Sequence, residues 1–488
     1  MIKKIIRRVF NPAPHTTHVK SIHQKQIIVK KTLKSATEPI HYTLKQHGIE
    51  ANLLSRAALE VCDGLHSVGF EAYVVGGAVR DMLLAREPKD FDIATNATPE
   101  QIIKAFRRAK IIGKRFKIVH VMVGRELIEV TTFRADKEGD EKTDAHGRVL
   151  ADNTYGTLAT DAARRDLTVN ALYYNPENAE VIDFHGGMED LKYRQLRMIG
   201  DPATRYREDP VRMLRVARFA AKLDFTIHPN SFKPILELKS LINNCPASRL
   251  FDEVQKLFMS GYAVRTLNTL RTLNLSQGLL TVMDMMLAHP DADTFIYLAL
   301  DNTDHRVNKG QSTTPAFLFA CLLWHDVLKK ANDLVQGNEK SFNEKSFLAR
   351  EQAITTVINQ QCETLAIPRR YTIDICDIWG MQIRFEQVSK RNLSILTQPK
   401  FRAAYDFFLL RCDAGEQPVA LGALWTHMHL AESREEANEL LDIYLGQLPE
   451  STAAIKNIVK SKKRRRKKNN ISNILNTECT NESLISPK

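Results

Sequence analysis

The residues with the clearest chemical potential lie between Val74 and Thr98, in the stretch VVGGAVRDMLLAREPKDFDIATNAT. An apolar run ends in Gly76 and Gly77, where the lack of side chains lets a turn approach a ligand and aim backbone N–H groups at phosphate oxygens. A helix-like run carrying Arg80 and Asp81 follows. Then comes Asp90-Phe91-Asp92, where the strand period of two sets both carboxylates on one face and the phenyl ring on the other. Two adjacent carboxylates repel unless a divalent cation sits between them, and Mg²⁺ is the usual guest where a triphosphate is also held. Taken singly, a Gly-Gly pair is most often a plain turn and an Asp-x-Asp a solvated edge. Joined within one short unit, they point to nucleotide chemistry.

The neighbouring elements must position this unit. Residues 41–70 read as an amphipathic helix, with Leu53, Leu54, Ala57, Ala58 and Val61 at helical spacing, packed behind a strand over 71–75. Thr98 reads as the N-cap of the next helix, with Pro99 in its first turn. The runs 118–123 and 127–133 alternate around Gly124 as a hairpin, which brings Glu129 into a strand beside the one with Asp90. Glu129 is therefore a candidate third carboxylate, the alternative being an exposed strand glutamate without a role. The polar segment 136–154 reads as a flexible loop over the site.

Further along, Arg164-Arg165-Asp166 stands just before a strand that runs through Leu172 to Tyr174. Asp183, Gly186 and Gly187 follow a strand at a turn into a helix, and a structural role suits them best. Asp209 reads as a helix cap with Pro210 in the first helical position. Arg212 and Arg215 share its face, while Leu214, Ala217 and Ala221 line the other. From Leu223 to about Leu445 the chain reads as helix after helix. Within it, His325-Asp326 could be a hydrolase dyad, but no further histidines stand in a suggestive pattern, so a helix-packing histidine is the better reading.

The 488 residues are 43% hydrophobic, enough for a substantial core and against a disordered chain. The net charge of +12 is concentrated at the ends: no acid precedes Glu38, and a basic run extends from Lys460 to Lys468. Such blocks attract polyanions or simply solubilise. The seven cysteines are scattered without zinc or redox spacing, as expected of reduced thiols in the cytoplasm. The longest apolar run, around Ala316 to Trp324, is too short for a membrane span, which needs about 20 residues. The acid-free N-terminus leaves an organellar transit peptide as a minor alternative.

Three elements together carry a resemblance: Gly76-Gly77-x-Val79-Arg80-Asp81 with Asp90-x-Asp92, Arg164-Arg165-Asp166-Leu167-Thr168-x-Asn170, and Glu208-Asp209-Pro210-x-Arg212. The chain resembles the template-independent nucleotidyltransferases that extend RNA ends, the bacterial poly(A) polymerases and the CCA-adding enzymes. The likeness runs from about Glu60 to Leu410, and the later wording PKFRAAYD, from Pro399 to Asp406, is closest to the poly(A) polymerases. Ala78 replaces a third glycine, and His325-Asp326 stands where Tyr-Pro is expected.

The resemblance implies an α+β fold, with a small mixed β-sheet nucleotidyltransferase head followed by an all-α neck, body and tail. The expected division is a basic extension over 1–40, the head over 41–192, a helical neck with a base-reading helix over 193–255, a helical body and C-terminal RNA-binding domain over 256–448, and a basic disordered tail over 449–488. It implies transfer of AMP from ATP to RNA 3′ ends without a template. Asp90, Asp92 and Asp166 would be catalytic, with Asp90 and Asp92 holding two Mg²⁺ ions and either Glu129 or Asp166 as the third metal carboxylate. Gly76, Gly77, Arg80, Arg164 and Arg165 would contact the nucleotide's phosphates and ribose, and Asp209, Arg212 and Arg215 would read its base. A cytoplasmic monomer is expected, working on mRNA and other transcripts alongside the RNA-degradation machinery. The alternatives are a CCA-adding tRNA nucleotidyltransferase and a non-catalytic RNA-binding protein, the latter opposed by the presence of Asp90, Asp92 and Arg80.

Overall fold

The computed structural model describes residues 38–113, 117–135, 155–275, 290–335 and 342–447. The basic extension and tail, and the loop over 136–154, lie outside these residues. The fold begins as a mixed sheet of eight short strands: β1 (Ile40–Tyr42), β2 (Ala72–Val75), β3 (Asp92–Thr95), β4 (Ala109–Ile112), β5 (Ile118–Val123), β6 (Glu126–Thr132), β7 (Leu172–Asn175) and β8 (Glu180–Asp183). They lie in the order β1-β8-β7-β2-β3-β6-β5-β4. All pairs are antiparallel except β3 with β6.

Strand alternation divides the sheet into two unlike faces. Ala72, Val74, Ile93, Val119, Val121, Ile128, Val130, Leu172, Tyr174 and Val181 point into the main core, against the Arg56–His66 helix among others. On the other face, Val75, Ala94, Tyr173 and Ile182 join Phe133 and Ala162 in a small second cluster confined to one half of the sheet. The other half of that face, over β6, β5 and β4, carries Glu129, His120 and Lys110.

The helix read over residues 41–70 is shorter than its apolar spacing suggests. Ser55 caps it by accepting from the N–H groups of Ala57 and Ala58, so it spans only Arg56–His66. Upstream, Gly48 in the left-handed region ends a single helical turn, and Ile40–Tyr42 pairs with β8 as an edge strand. Strand β4 and the Leu158–Arg164 helix carried no clear sequence signal. The Thr98 cap, the hairpin at Gly124 and the strand after Arg165 stand as read.

Asp183 is the structural residue its setting suggested. Its buried carboxylate accepts from the backbone N–H groups of His185, Gly186, Gly187 and Met188 at 2.9–3.0 Å. A Cβ on Gly187 would lie 2.4 Å from the Thr168 carbonyl oxygen, so only glycine permits the contact between this turn and the segment after Asp166. Beyond Leu223 the described residues form helices joined by short connections, apart from Thr226–Ile227, which pairs with Gln195–Leu196. His325 stands on the Pro315–Val335 helix with Nε2 3.1 Å from Glu416, inside a polar network that includes Arg411 and Trp324. Its ring also packs against Phe295 at 5.5 Å between centroids. Among the described residues no helix is long and apolar enough to cross a membrane.

Candidate active site

Strand β2 delivers the chain to Gly76, whose φ of 74° and ψ of −124° suit glycine alone, and the Gly77–Leu83 helix starts at once. The Gly76 N–H donates to the Leu172 carbonyl at 3.2 Å, so the donors open to a ligand begin at Gly77. A Cβ on Gly76 would lie 3.4 Å from Nη1 of Arg165, so that guanidinium sits directly against the turn. Arg165 is held there by Tyr173 Oη at 2.9 Å and Asp161 Oδ2 at 3.0 Å. Burial opposes its charge, but the Tyr173 hydroxyl and the Asp161 carboxylate keep it firmly protonated.

Asp92 opens β3 directly across from Val75, the residue before Gly76. Phe91 is buried at 7% exposure between the exposed Asp90 and Asp92, although β3 begins only at Asp92. In the parallel pair of β3 with β6, Asp92 is the register partner of Glu129. Protein packed around Asp92 and the negative charges of Glu129 and Asp90 push its carboxyl up to about 6, although Arg165 pulls the other way. Asp92 is exposed by surface area, yet the crowding around it and its charged neighbours decide its acidity.

Among the described residues, no group of three or more His, Cys, Asp and Glu side chains closes on a single point. The donor set is instead Asp92 and Glu129, paired in register, with Asp90 as a charged neighbour of Asp92. That fits Mg²⁺, which takes one or two protein carboxylates and draws its other ligands from phosphates and water.

Asp166 lies apart from this row. Its Oδ2 accepts from Arg215 Nε at 2.8 Å and lies 2.6 Å from Nη2, while Oδ1 accepts from the Leu167 N–H and from Asn170 Nδ2. Burial works against its charge, but Arg215 overrides that and holds the carboxyl down at about 2. Asn170 in turn accepts from Arg80 Nη1 at 2.6 Å, and Arg80 also pairs with Asp81 at 2.7 Å. Arg80 is 2% exposed with its guanidinium 5.3 Å from the Phe219 ring, so it supports the glycine turn from beneath. A polar chain therefore runs from Arg215 through Asp166 and Asn170 to Arg80.

The base-reading candidates meet different partners. Asp209 does not cap the Val211–Leu223 helix with its side chain, because Pro210 holds the N-cap position. Its Oδ2 accepts from Arg249 Nη2 at 2.6 Å, while its Oδ1 is buried with no partner. Arg212 donates to the Arg205 carbonyl and to Glu208 at 3.0 Å, and Arg164 to the Ala135 carbonyl at 2.8 Å. Sequence reasoning missed Arg249, Glu253, Asp161 and Tyr173, each of which holds or sets one of the arginines and carboxylates of the site. Arg249 and Glu253 lie on the Ala247–Phe258 helix, far from every motif in sequence, and Glu253 pairs with Arg218 at 2.9 Å.

Three family models match the chain: "Poly A polymerase head domain" over residues 72–197, "Probable RNA and SrmB- binding site of polymerase A" over 224–287, and "Polymerase A arginine-rich C-terminus" over 343–470. The chain is 43% identical over 379 residues to Poly(A) polymerase I of Escherichia coli O6:H1, a match covering 76% of this chain and 81% of that one. It is 39% identical over 210 residues to a CCA-adding enzyme of Bacillus licheniformis, covering 43% of this chain and 52% of that enzyme. A solved structure described as a tRNA-processing enzyme in an apo form superposes with a TM-score of 0.51 at 17% identity, covering 78% of this chain and 99% of the other, which shows a shared fold.

Proposed function

The chain belongs to the bacterial poly(A) polymerases, nucleotidyltransferases that add AMP to RNA, and on that premise we propose that Asp90, Asp92 and Glu129 form its catalytic centre for extending RNA 3′ ends from ATP. The observation that carries this reading is the register of β3 with β6, which stands Asp92 beside Glu129 at the end of the glycine turn. Asp90 and Asp92 would hold Mg²⁺, with Glu129 beside Asp92 adding to the negative field; the ion when bound lowers the pKa of the RNA 3′-hydroxyl and neutralises the triphosphate.

The chain's own residues do the rest. Backbone donors from Gly77 onward and the Arg165 guanidinium cradle the β- and γ-phosphates, and Arg164 adds to the positive field beside them. This fixes the α-phosphorus over Asp92 for in-line attack by the 3′-hydroxyl oxygen. The new bond joins that oxygen to the α-phosphorus as its proton passes to water, the bond from the α-phosphorus to the bridging oxygen of the β-phosphate breaks, and pyrophosphate leaves with that oxygen. Arg80 acts through the turn, as a positioning residue. Asp166 likewise acts through Arg215 and Asn170, linking the helix that reads the base to the turn that holds the phosphates. The unpartnered Oδ1 of Asp209 is an acceptor suited to the exocyclic amine of adenine, with Arg249 fixing its orientation and Arg212 beside it on the helix.

The test is incorporation by the purified full chain with Mg²⁺. Long A tracts from ATP alone on a generic RNA support this reading. Three nucleotides that require CTP on a trimmed tRNA would make the chain a CCA-adding enzyme, and no incorporation would leave a binding protein. Gly76→Ala should cost about 1–3 kcal/mol, because alanine is strained at a φ of 74°. It should also raise the KM for ATP by pressing a methyl group against Arg165. Thermal melts and ATP titrations check both effects, and an unchanged KM would remove the turn from the phosphate site.

A further inference from the structure

The cross-strand register continues past the carboxylates. Asp92 pairs with Glu129, Glu129 with His120, and His120 with Lys110, so four chemically active side chains stand in one row across β3, β6, β5 and β4. All four lie on the face opposite the main core, because their chain neighbours Ile93, Ile128, Val130, Val119 and Val121 are buried within it. His120 Nε2 lies 3.5 Å from Glu129 Oε1, at side-chain exposures of 28% and 47%, and Lys110 is exposed, with no ion pair among the described residues. This half of the face is not covered by the small apolar cluster that fills the other half.

The row has a direction. The glycine turn and Arg165 lie on the β2 side of Asp92, so the triphosphate and its leaving pyrophosphate belong there. In-line displacement requires the attacking oxygen on the opposite side of the α-phosphorus. That side is the one with β6, β5 and β4. We propose that Glu129, His120 and Lys110 form the docking track for the 3′-terminal nucleotides of the RNA, with Lys110 binding a phosphodiester and His120 positioning Glu129 beside the terminal ribose.

This inference rests on the catalytic reading above, and three observations converge on the occupant. The track starts at the carboxylates where a 3′-hydroxyl must arrive. It becomes cationic with distance from them, which suits a chain whose phosphates begin one nucleotide behind its reacting end. The spacing between strands puts Lys110 about 14 Å from the Asp92 strand, within the first few phosphodiesters. A protein partner on this face would not need the row to begin at the catalytic carboxylates.

The experiment uses the full chain and a short oligo(A) with a photoreactive 3′-terminal base, in parallel with steady-state kinetics. Crosslinks are expected on residues 108–123. Lys110→Ala should raise the KM for RNA about tenfold, the lower end for a hydrogen bond to a charged group, with the KM for ATP and the melting temperature unchanged. The slope of log affinity against log salt should fall by about 0.7, one contact's share for a single strand. His120→Ala should raise the KM for RNA and lower kcat, and His120→Gln, which keeps a donor toward Glu129, should recover part of kcat. Unchanged RNA kinetics in both variants would overturn the proposal, as would equal rises in both KM values or crosslinks confined to the helices. Failure of the catalytic reading would show separately, as a wild-type chain that adds no AMP.

Discussion

Asp92→Ala is expected to lower AMP incorporation by about 10³-fold or more, since on the proposed reading this residue would hold the metal, which supplies several kcal/mol of transition-state stabilisation. RNA binding, measured by anisotropy without ATP, should stay nearly unchanged, because the matched RNA-binding region over 224–287 lies elsewhere in the chain. A second signature separates a catalytic carboxylate from a structural one. The Asp92 carboxyl is pushed up to about 6 by its surroundings, with Glu129 and Asp90 adding their charge. Its folded pKa is therefore above its unfolded value. Its contribution to stability is fully present below about pH 4 and is lost as pH rises through about 6. Asp92→Asn removes the charge and should raise the melting temperature of the metal-free protein at pH 7.5, with the gain shrinking as pH falls below 6. Retained polymerisation in either variant would remove Asp92 from the catalytic centre, and a melting temperature lowered at pH 7.5 would make the residue structural.

How much of this was legible in the sequence depends on the range of the interaction. The glycine turn, the buried Phe91 between exposed Asp90 and Asp92, and the Gly124 hairpin all follow from local rules, since backbone conformation and side-chain polarity act over a few residues. The carboxylate row could be read only as far as Glu129. His120 lies one strand further, and its place opposite Glu129 follows from hairpin register, which the sequence suggests but does not number. Asp166 was placed near the chemistry by its motif, yet its side chain is committed to Arg215, 49 residues further on. The support that Arg249 gives Asp209 has no local signal at all, because it depends on how two helices pack. Strand β4 was missed for another reason. At an edge with the pattern Ala109-Lys110-Ile111-Ile112 it is short and half polar, and only pairing with β5 makes it a strand.

Arg215→Ala should have the other large effect, on both stability and coupling. The guanidinium makes contacts of 2.6 and 2.8 Å with Asp166, and this holds the Asp166 carboxyl down at about 2 against the cost of burial. A folded pKa depressed below its unfolded value gives stability that is present above about pH 4 and lost as pH falls through about 2. The shift of about two units corresponds to about 2 kcal/mol once the partial exposure of Arg215 is allowed for. The melting temperature of the variant should therefore lie well below wild type at pH 7 and approach it near pH 2. The same substitution frees Asp166 from one side, so Asn170 and, through it, Arg80 lose their fixed positions beneath the glycine turn. Misplacing the phosphates by even about 1 Å costs on the order of 10² in rate. A fall of that size in kcat/KM for ATP is expected, although Arg215 lies on a helix remote in sequence from the turn. Arg215→Lys restores a positive charge without the second donor, and should recover more of the stability than of the rate. If the melting difference persists unchanged at low pH, the pair with Asp166 is not its source. If stability falls while kcat/KM holds, the chain from Arg215 to Arg80 joins the two parts of the site without coupling them.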